Sequence, residues 1–272
     1  MEMIPQSESE SNSTRLVFKI DYDGSVFCGW QKQPGQSSVQ SVLEEKLQIL
    51  TRQSQVEITG CGRTDTGVHA RRYFAHTDLD DLGLQSLKIS SLNALLPPEI
   101  AVSHIWQDPM HRFHSRFDAH MRKYIYRIHR IKDPFARKYS FEYHHLLHEH
   151  LDHFEDFSQQ LIKINDFGSF VKSNSGLENY NCTLYECRWN AVDRDHFEFH
   201  IAANRFVRGM VRLIVGAFLQ LAQGKTNPNE IMEQILSTKQ IKHSWSVPAN
   251  GLTLEEVKYP DDMISRLVDL GI

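Results

Sequence analysis

The chain has 272 residues, 40% hydrophobic and 24% charged, with a formal net charge of −4. That balance is ordinary for a globular protein and excludes a disordered chain, a collagen and a disulfide scaffold, while the length suggests about two domains. The longest apolar stretch, residues 213–222 with Gln220 inside it, falls far short of the ~20 residues a membrane span needs, so no membrane partner and a cytoplasmic location are expected.

Residues 1–13, rich in Ser and Glu, read as a disordered tail and lack a charged-then-apolar signal. The first strand falls at 14–21, where Leu16, Phe18 and Ile20 alternate with Lys19 and Asp21. Ser37 and Gln40 have the spacing of a capping box. They open a helix to residue 50 with Val39, Val42, Leu43, Leu47 and Leu50 at helical spacing. A strand at 55–59, a loop at 60–67, a strand at 70–77, a helix over 84–95 stopped by Pro97-Pro98, and a strand at 100–106 complete a βαββαβ order. The second half repeats it with a strand at 122–130, a helix at 150–164 and strands at 184–189 and 196–202. A long apolar helix over 205–223 follows, closed by Gly224, then a short extra helix at 229–237 and a last strand at 253–259. The expected fold is α+β. Two ferredoxin-like (βαββαβ) halves, 14–108 and 109–272, form a continuous mixed/antiparallel sheet with helices on one face and a central cleft.

The charge is unevenly spread. Residues 111–132 hold seven Lys/Arg against Asp118, a net +6, and 204–225 hold Arg205, Arg208, Arg212 and Lys225 with no acid, a net +4, leaving −14 elsewhere. A polyanion reads the local patch, because charge beyond a Debye length of ~8 Å is screened. An RNA-binding cleft is therefore compatible with the acidic total. Tyr124 and Tyr126 lie among Arg122, Lys123 and Arg127, a pattern that suits a stacking platform for bases and equally a half-buried edge strand. Phe113, His114, Arg116 and Phe117 would extend that surface.

The most unusual segment runs from Gly60 to His69, with Gly60, Gly62 and Gly67 demanding special backbone angles or close approach. Arg63 and Asp65 stand two apart within it. An arginine beside an aspartate in a cleft favours the charged carboxylate that a nucleophile or base requires; the same residues also suit an Asx-turn with a surface arginine. Arg205, Arg208 and Arg212 recur at i, i+3 and i+7 and would share one face of an otherwise apolar helix. They either meet an anion, such as Asp65 or an RNA phosphate, or face solvent. The apolar neighbours leave little room for a wide polar face and favour the anion.

His144, His145, His148, His150 and His153 carry no His-Glu-x-x-His order and are interspersed with acids as on a solvated helix, so no metal is expected. Cys28 and Cys61 stand alone, and Cys182 and Cys187 lack a second pair for zinc, which leaves reduced, mostly buried thiols. The chain has no Walker loop, dinucleotide-binding turn or nucleophile elbow. Nucleotide hydrolysis, dinucleotide redox chemistry and serine acyl transfer lose their usual support.

In order along the chain, several stretches resemble the TruA family of tRNA pseudouridine synthases. They include Tyr22-Asp23-Gly24-Ser25, Gly29-Trp30-Gln31, Gly62-Arg63-Thr64-Asp65-Thr66-Gly67-Val68-His69-Ala70 and Asn93-Ala94-Leu95-Leu96-Pro97. Phe113-His114-Ser115-Arg116-Phe117, Arg122-Lys123-Tyr124-Ile125-Tyr126, Asn204-Arg205-Phe206, residues 210–216 and Pro248-Ala249-Asn250-Gly251-Leu252-Thr253-Leu254 continue the series. The resemblance implies a cofactor-free isomerase, usually a homodimer. It would detach uracil from ribose, turn it and rejoin it through carbon, at uridines of the tRNA anticodon stem-loop (tRNA positions 38, 39 and 40). It further implies Asp65 as the catalytic carboxylate and Arg63 as the residue that helps flip the nucleotide. Tyr124 would stack on the base and take part in proton transfer, Arg212 would pair with Asp65, and Leu254 would line the pocket. Arg116, Arg122, Arg205 and Arg208 would contact RNA. A non-catalytic RNA-binding module on the same fold is the rival reading. Thr66, where the family usually has Ala, Asn165, where His is common, and Arg208-Gly209, which bears on RNA contacts, depart from the pattern without removing a residue assigned to the chemistry.

Overall fold

The structure, a computed structural model, describes residues 13–171, 179–237 and 239–271. Residues 1–12 of the expected tail lie outside them, and Ser13 is already the first residue of a strand.

The first half comprises β1 (Ser13–Tyr22), α1 (Val39–Thr51), β2 (Thr59–Gly60), β3 (His69–Asp80), α2 (Asp81–Ser86), α3 (Ile89–Leu95) and β4 (Ile100–Asp108). The second comprises β5 (Met121–His129), β6 (Phe141–Glu142), α4 (Glu149–Ile162), β7 (Leu184–Ala191), β8 (His196–Ala203), α5 (Met210–Ala222), α6 (Pro228–Leu236), β9 (Leu252–Lys258), α7 (Asp261–Ile264) and β10 (Val268–Asp269). The ten strands of the described residues join one sheet in the order β10-β4-β1-β3-β9-β5-β8-β7, with β2 beside β3 and β6 beside β5. Each half thus places its last long strand next to its first, β4-β1-β3-β2 and β9-β5-β8-β7, the ferredoxin-like arrangement.

The short β2 makes the join possible. It pairs only with Ala75 and His76 and leaves the start of β3 open. There β9 adds in parallel, His69 opposite Thr253 and Ala70 opposite Leu254. On its other side β9 runs antiparallel to Met121–Tyr126 of β5, so one strand is the seam between the halves. The chain end then returns across the expected division at residue 108, with β10 pairing Val268 to Gln107 of β4.

Two apolar cores lie on either side of the seam. In one, Leu16, Phe18 and Ile20 of β1 pack with Val39, Leu43 and Leu47 of α1; in the other, Phe197 and Phe199 of β8 pack with Phe154, Phe157 and Phe218 from α4 and α5. Alternate residues put polar groups on the opposite side of the β5 region, where Lys123 pairs with Glu186 and Arg127 with Glu198 and Glu255.

Several local expectations are corrected. The α1 capping box belongs to Ser38 and Ser41, because Ser38 takes the extended cap conformation, whereas the Gln40 side chain bonds Gln31, Glu44 and the Ile58 carbonyl. The strand expected over 55–59 shrinks to Thr59–Gly60, although Val56 and Ile58 are still buried. The helix over 84–95 is two short helices, the first capped by Asp80, which accepts from the Gly83 N–H. Most consequential, α5 starts at Met210 and not at Arg205, because Gly209 at φ 78° breaks the helical path. Arg205 and Arg208 therefore precede the helix and do not share a helical face with Arg212. The far end agrees with expectation: Gly224, at φ 64°, follows the cap.

Candidate active site

The loop between β2 and β3 is held on three sides. Gly60 leaves room for stacked Trp30 and Tyr73, whose ring centroids are 4.2 Å apart; a Cβ there would lie 2.1 Å from the Tyr73 hydroxyl. That hydroxyl donates to the Gly62 carbonyl, and the buried Tyr22 and Thr64 hydroxyls share a hydrogen bond of 2.8 Å. The Trp30 N–H donates to the Thr64 carbonyl, and the Val68 N–H closes a turn on the Asp65 carbonyl with Gly67 at φ 79°.

These restraints aim Asp65 across the seam at the segment before α5. Its carboxylate is 20% exposed, 3.7 Å from Arg212 Nη1 and 3.5 Å from Arg208 Nε. The two arginines differ in kind. Arg212 is 16% exposed and anchored by Nε donating to the Val247 carbonyl at 2.7 Å; Arg208 is 70% exposed. Two of the three arginines expected to meet an anion, Arg208 and Arg212, thus converge on Asp65, although the helical face that suggested the cluster does not exist.

Tyr124, half-buried on β5, stands opposite Leu254 of β9 and packs edge-on against Phe206, centroids 5.2 Å apart. Burial pushes its hydroxyl far above the ordinary tyrosine range, so it is a neutral phenol at neutral pH. Leu254 is 1% exposed, beside it on the neighbouring strand. Arg63 is exposed and donates from Nε to the Gln31 side chain at 3.1 Å.

A second cluster braces the end of the loop. His69 presents Nδ1 to both the Gly24 N–H and Asp23, each at 3.1 Å, and Nε2 to the Lys138 carbonyl. Asp23 also receives Tyr139 and Lys138 from the other half. Burial works against the charged Asp23, but hydrogen bonds from Ser25 and Tyr139, with His69 close by, outweigh it and hold the carboxyl at about 2.

The remaining basic residues divide. Arg116 is exposed, with its guanidinium 5.7 Å from the centre of the exposed Phe117 ring, and Arg205 is half-buried. Lys123, Arg127 and Arg130 are spent on ion pairs within the protein, and Arg122 on backbone carbonyls. Gln31, Phe206 and the Val247 carbonyl are site components that the sequence reading passed over. Their only signal was that Gln31 and Phe206 lie inside the resembling stretches.

The histidine run does not gather. His144 and His148 precede α4 and bond the Arg130 and Arg194 carbonyls, His150 accepts from the Leu147 N–H, and no group of three or more metal-ligating side chains occurs among the described residues. The four cysteines are free thiols, three of them buried. No helix among the described residues is long and apolar enough to cross a membrane.

A carboxylate set between two arginines, with a half-buried tyrosine nearby, at the seam of twinned ferredoxin-like units, marks the candidate active site of an α+β protein. The family profile described as tRNA pseudouridine synthase matches residues 20–118 and 158–260, more than half of the chain. Proteins named tRNA pseudouridine synthase A are 36% identical in Azobacteroides pseudotrichonymphae (91% of this chain, 97% of that one) and 36% identical in Bacteroides thetaiotaomicron (93% of each). The one in Bacillus subtilis is 32% identical over 90% of this chain and 99% of its own. A solved archaeal box H/ACA sRNP Nop10-Cbf5 complex overlaps at 11% identity and a TM-score of 0.32, across 79% of this chain and 44% of that one. That overlap is too slight to carry an argument. The chain belongs to the tRNA pseudouridine synthase family, and it is an isomerase that converts uridine to pseudouridine.

Proposed function

We propose that the protein isomerises uridines in the anticodon stem-loop of tRNA, with Asp65 as the reacting carboxylate. The observation that carries this reading is the Asp65 carboxylate lying between Arg212 and Arg208 and within the electrostatic reach of Tyr124. In the reaction the N1–C1′ glycosidic bond breaks, a C5–C1′ bond forms, and the proton lost from C5 is balanced by one gained at N1. No oxidant, reductant or second substrate is required.

A stacked uridine cannot turn in place, so it leaves the helix at a cost of roughly a few kcal/mol. Exposed Arg63 fills the vacated space, and Tyr124 stacks on the flipped base over Leu254, offsetting that cost. Asp65 promotes cleavage at the sugar while Arg212 orients it. Tyr124, protonated at neutral pH, serves as a relay that gives up its proton only as it takes another, since burial makes it a poor acid on its own. Arg116, Arg205 and Arg208 face the RNA backbone in this reading, and the family's homodimer is carried with it; sedimentation equilibrium tests the dimer.

The test is pseudouridine mapping on unmodified tRNA treated with wild-type protein and with Asp65→Ala. Modification at tRNA positions 38, 39 and 40 by wild type alone is the expected result, with tRNA affinity nearly unchanged because phosphate contacts dominate binding. Turnover by Asp65→Ala refutes the role of Asp65. Binding without turnover by wild type turns the reading to a non-catalytic module.

A further inference from the structure

Arg122 belongs to the basic segment whose charge predicts an RNA contact, yet its guanidinium has no N–H left for a phosphate. Nε and Nη2 donate to the Cys61 carbonyl at 3.3 and 2.9 Å, and Nη2 also donates to the Arg116 carbonyl at 2.6 Å. Nη1 donates to the Ala119 and Asn204 carbonyls at 2.9 and 2.8 Å. All five donors of the fork are used. No carboxylate pairs with it among the described residues; four carbonyl dipoles from three separate segments balance the charge.

Those segments are the ones that must be held in register. Cys61 opens the loop that carries Arg63 and Asp65, and its own N–H is tied to the Phe74 carbonyl at 2.8 Å. Asn204 opens the stretch that carries Phe206, Arg208 and, after Gly209, Arg212. Its side-chain oxygen accepts from the Thr183 and Arg205 N–H groups, both at 2.8 Å. Arg122 itself is two residues from Tyr124 along β5, so both side chains leave the strand on the same side. We propose that Arg122 is a positioning residue for the isomerisation, fixing the span between the Asp65 loop and the segment that brings Phe206, Arg208 and Arg212 to it. A lysine, with a single ammonium on a flexible stem, cannot reach four carbonyls at once. The inference rests on the reading of Asp65 as the reacting carboxylate.

Arg122→Lys keeps the charge and tests the fork. At saturating enzyme its single-turnover rate on tRNA falls roughly 10²-fold, as expected for a misplacement of about 1 Å at reacting groups. The tRNA dissociation constant and its salt dependence stay as in wild type. Weaker binding, with a salt slope reduced by about one phosphate and an unchanged saturated rate, overturns the proposal and makes Arg122 an RNA contact. A lower melting temperature with wild-type rate and affinity also overturns it, leaving only a role in stability. Asp65→Ala run alongside separates the two readings. Turnover by Asp65→Ala refutes the reacting carboxylate, whereas an inactive Asp65→Ala beside a fully active Arg122→Lys refutes only the role of Arg122. A check on the unsubstituted protein needs no variant: after phenylglyoxal treatment, mass spectrometry finds Arg122 unmodified with and without tRNA. An Arg122 that reacts in the free protein and is shielded by tRNA overturns the proposal.

Discussion

Gly29→Ala tests whether the segment from Tyr22 to Gln31 sets the position of Asp65. Gly29 has φ 86°, a left-handed conformation that costs an L-residue roughly 1–2 kcal/mol. A Cβ there would lie 2.2 Å from the Thr64 carbonyl oxygen, where ordinary contact begins at 3.4 Å. The carbonyl next to Asp65 must therefore retreat by about 1 Å, which also breaks its bond from the Trp30 N–H, worth about 1–3 kcal/mol. The total is on the order of 3 kcal/mol, or about 6–12 °C in melting temperature for a chain of this length. A displacement of about 1 Å beside the reacting group costs roughly 10²-fold in rate. Gly35→Ala is the internal control, since Gly35 has φ 71° but no atom within 4 Å of the added Cβ. It loses at most the backbone component and keeps the wild-type rate. Urea unfolding and single-turnover kinetics on the same preparations decide the matter. A Gly29→Ala protein with wild-type rate per folded molecule refutes the reasoning.

Three further outcomes follow from named contacts. Arg212→Lys keeps a charge near Asp65 but loses the fork that holds Asp65 and the Val247 carbonyl together, so the saturated rate falls at least about 10-fold with the fold intact; a wild-type rate by quenched flow shows that charge alone suffices. Tyr73→Phe removes the donor to the Gly62 carbonyl and lowers stability by about 1–3 kcal/mol, and an unchanged urea midpoint refutes the contribution of that bond. Burial, with Arg15 and His114 close by, lowers His76 to about 4 from its ordinary 6.5, while Nδ1 accepts from the Ser115 N–H. A group lowered on folding contributes stability that is complete above the unfolded value and is lost as pH falls toward the folded one. The native protein therefore loses on the order of 3 kcal/mol between pH 6.5 and about 4 through this residue. Urea midpoints at pH 7 and 4.5 drop less for His76→Gln than for wild type; equal drops refute the assignment.

The strands of the first half were legible because β1 buries Leu16, Phe18 and Ile20 with period two, and the later long strands pattern in the same way. What sequence periodicity does not encode is pairing between distant segments. The two-residue β2 reads as a longer strand because Val56 and Ile58 alternate, yet their burial comes from core packing and not from ladder bonds. Nothing local announces that the shortened β2 leaves β3 open for β9, or that β10 returns to the far edge. The start of α5 was misplaced for a different reason. Residues 205–215 are apolar at nearly helical spacing, and periodicity alone outvoted Gly209, a single residue whose positive φ ends the pattern.

The site shows the same division between chemical type and geometry. Arg63, Asp65, Tyr124 and Arg212 stand out by local pattern, but their roles come from the family resemblance, and of the four only Asp65 and Arg212 pair across the seam. The cations were legible as charge but not as allegiance. Of the seven Lys/Arg in residues 111–132, Lys123, Arg127 and Arg130 neutralise Glu186, Glu198, Glu255 and Asp195 from other strands and loops. Arg122 is consumed by carbonyls, which leaves Arg112, Arg116 and Lys132 exposed to solvent. A local net charge of +6 therefore overstates what a phosphate backbone meets, because the acids that cancel it lie far away in sequence and adjacent in space. The same folding that occupies these side chains ties one of them, Arg122, to the loop that carries Asp65 and to the segment that brings Arg208 and Arg212 to it.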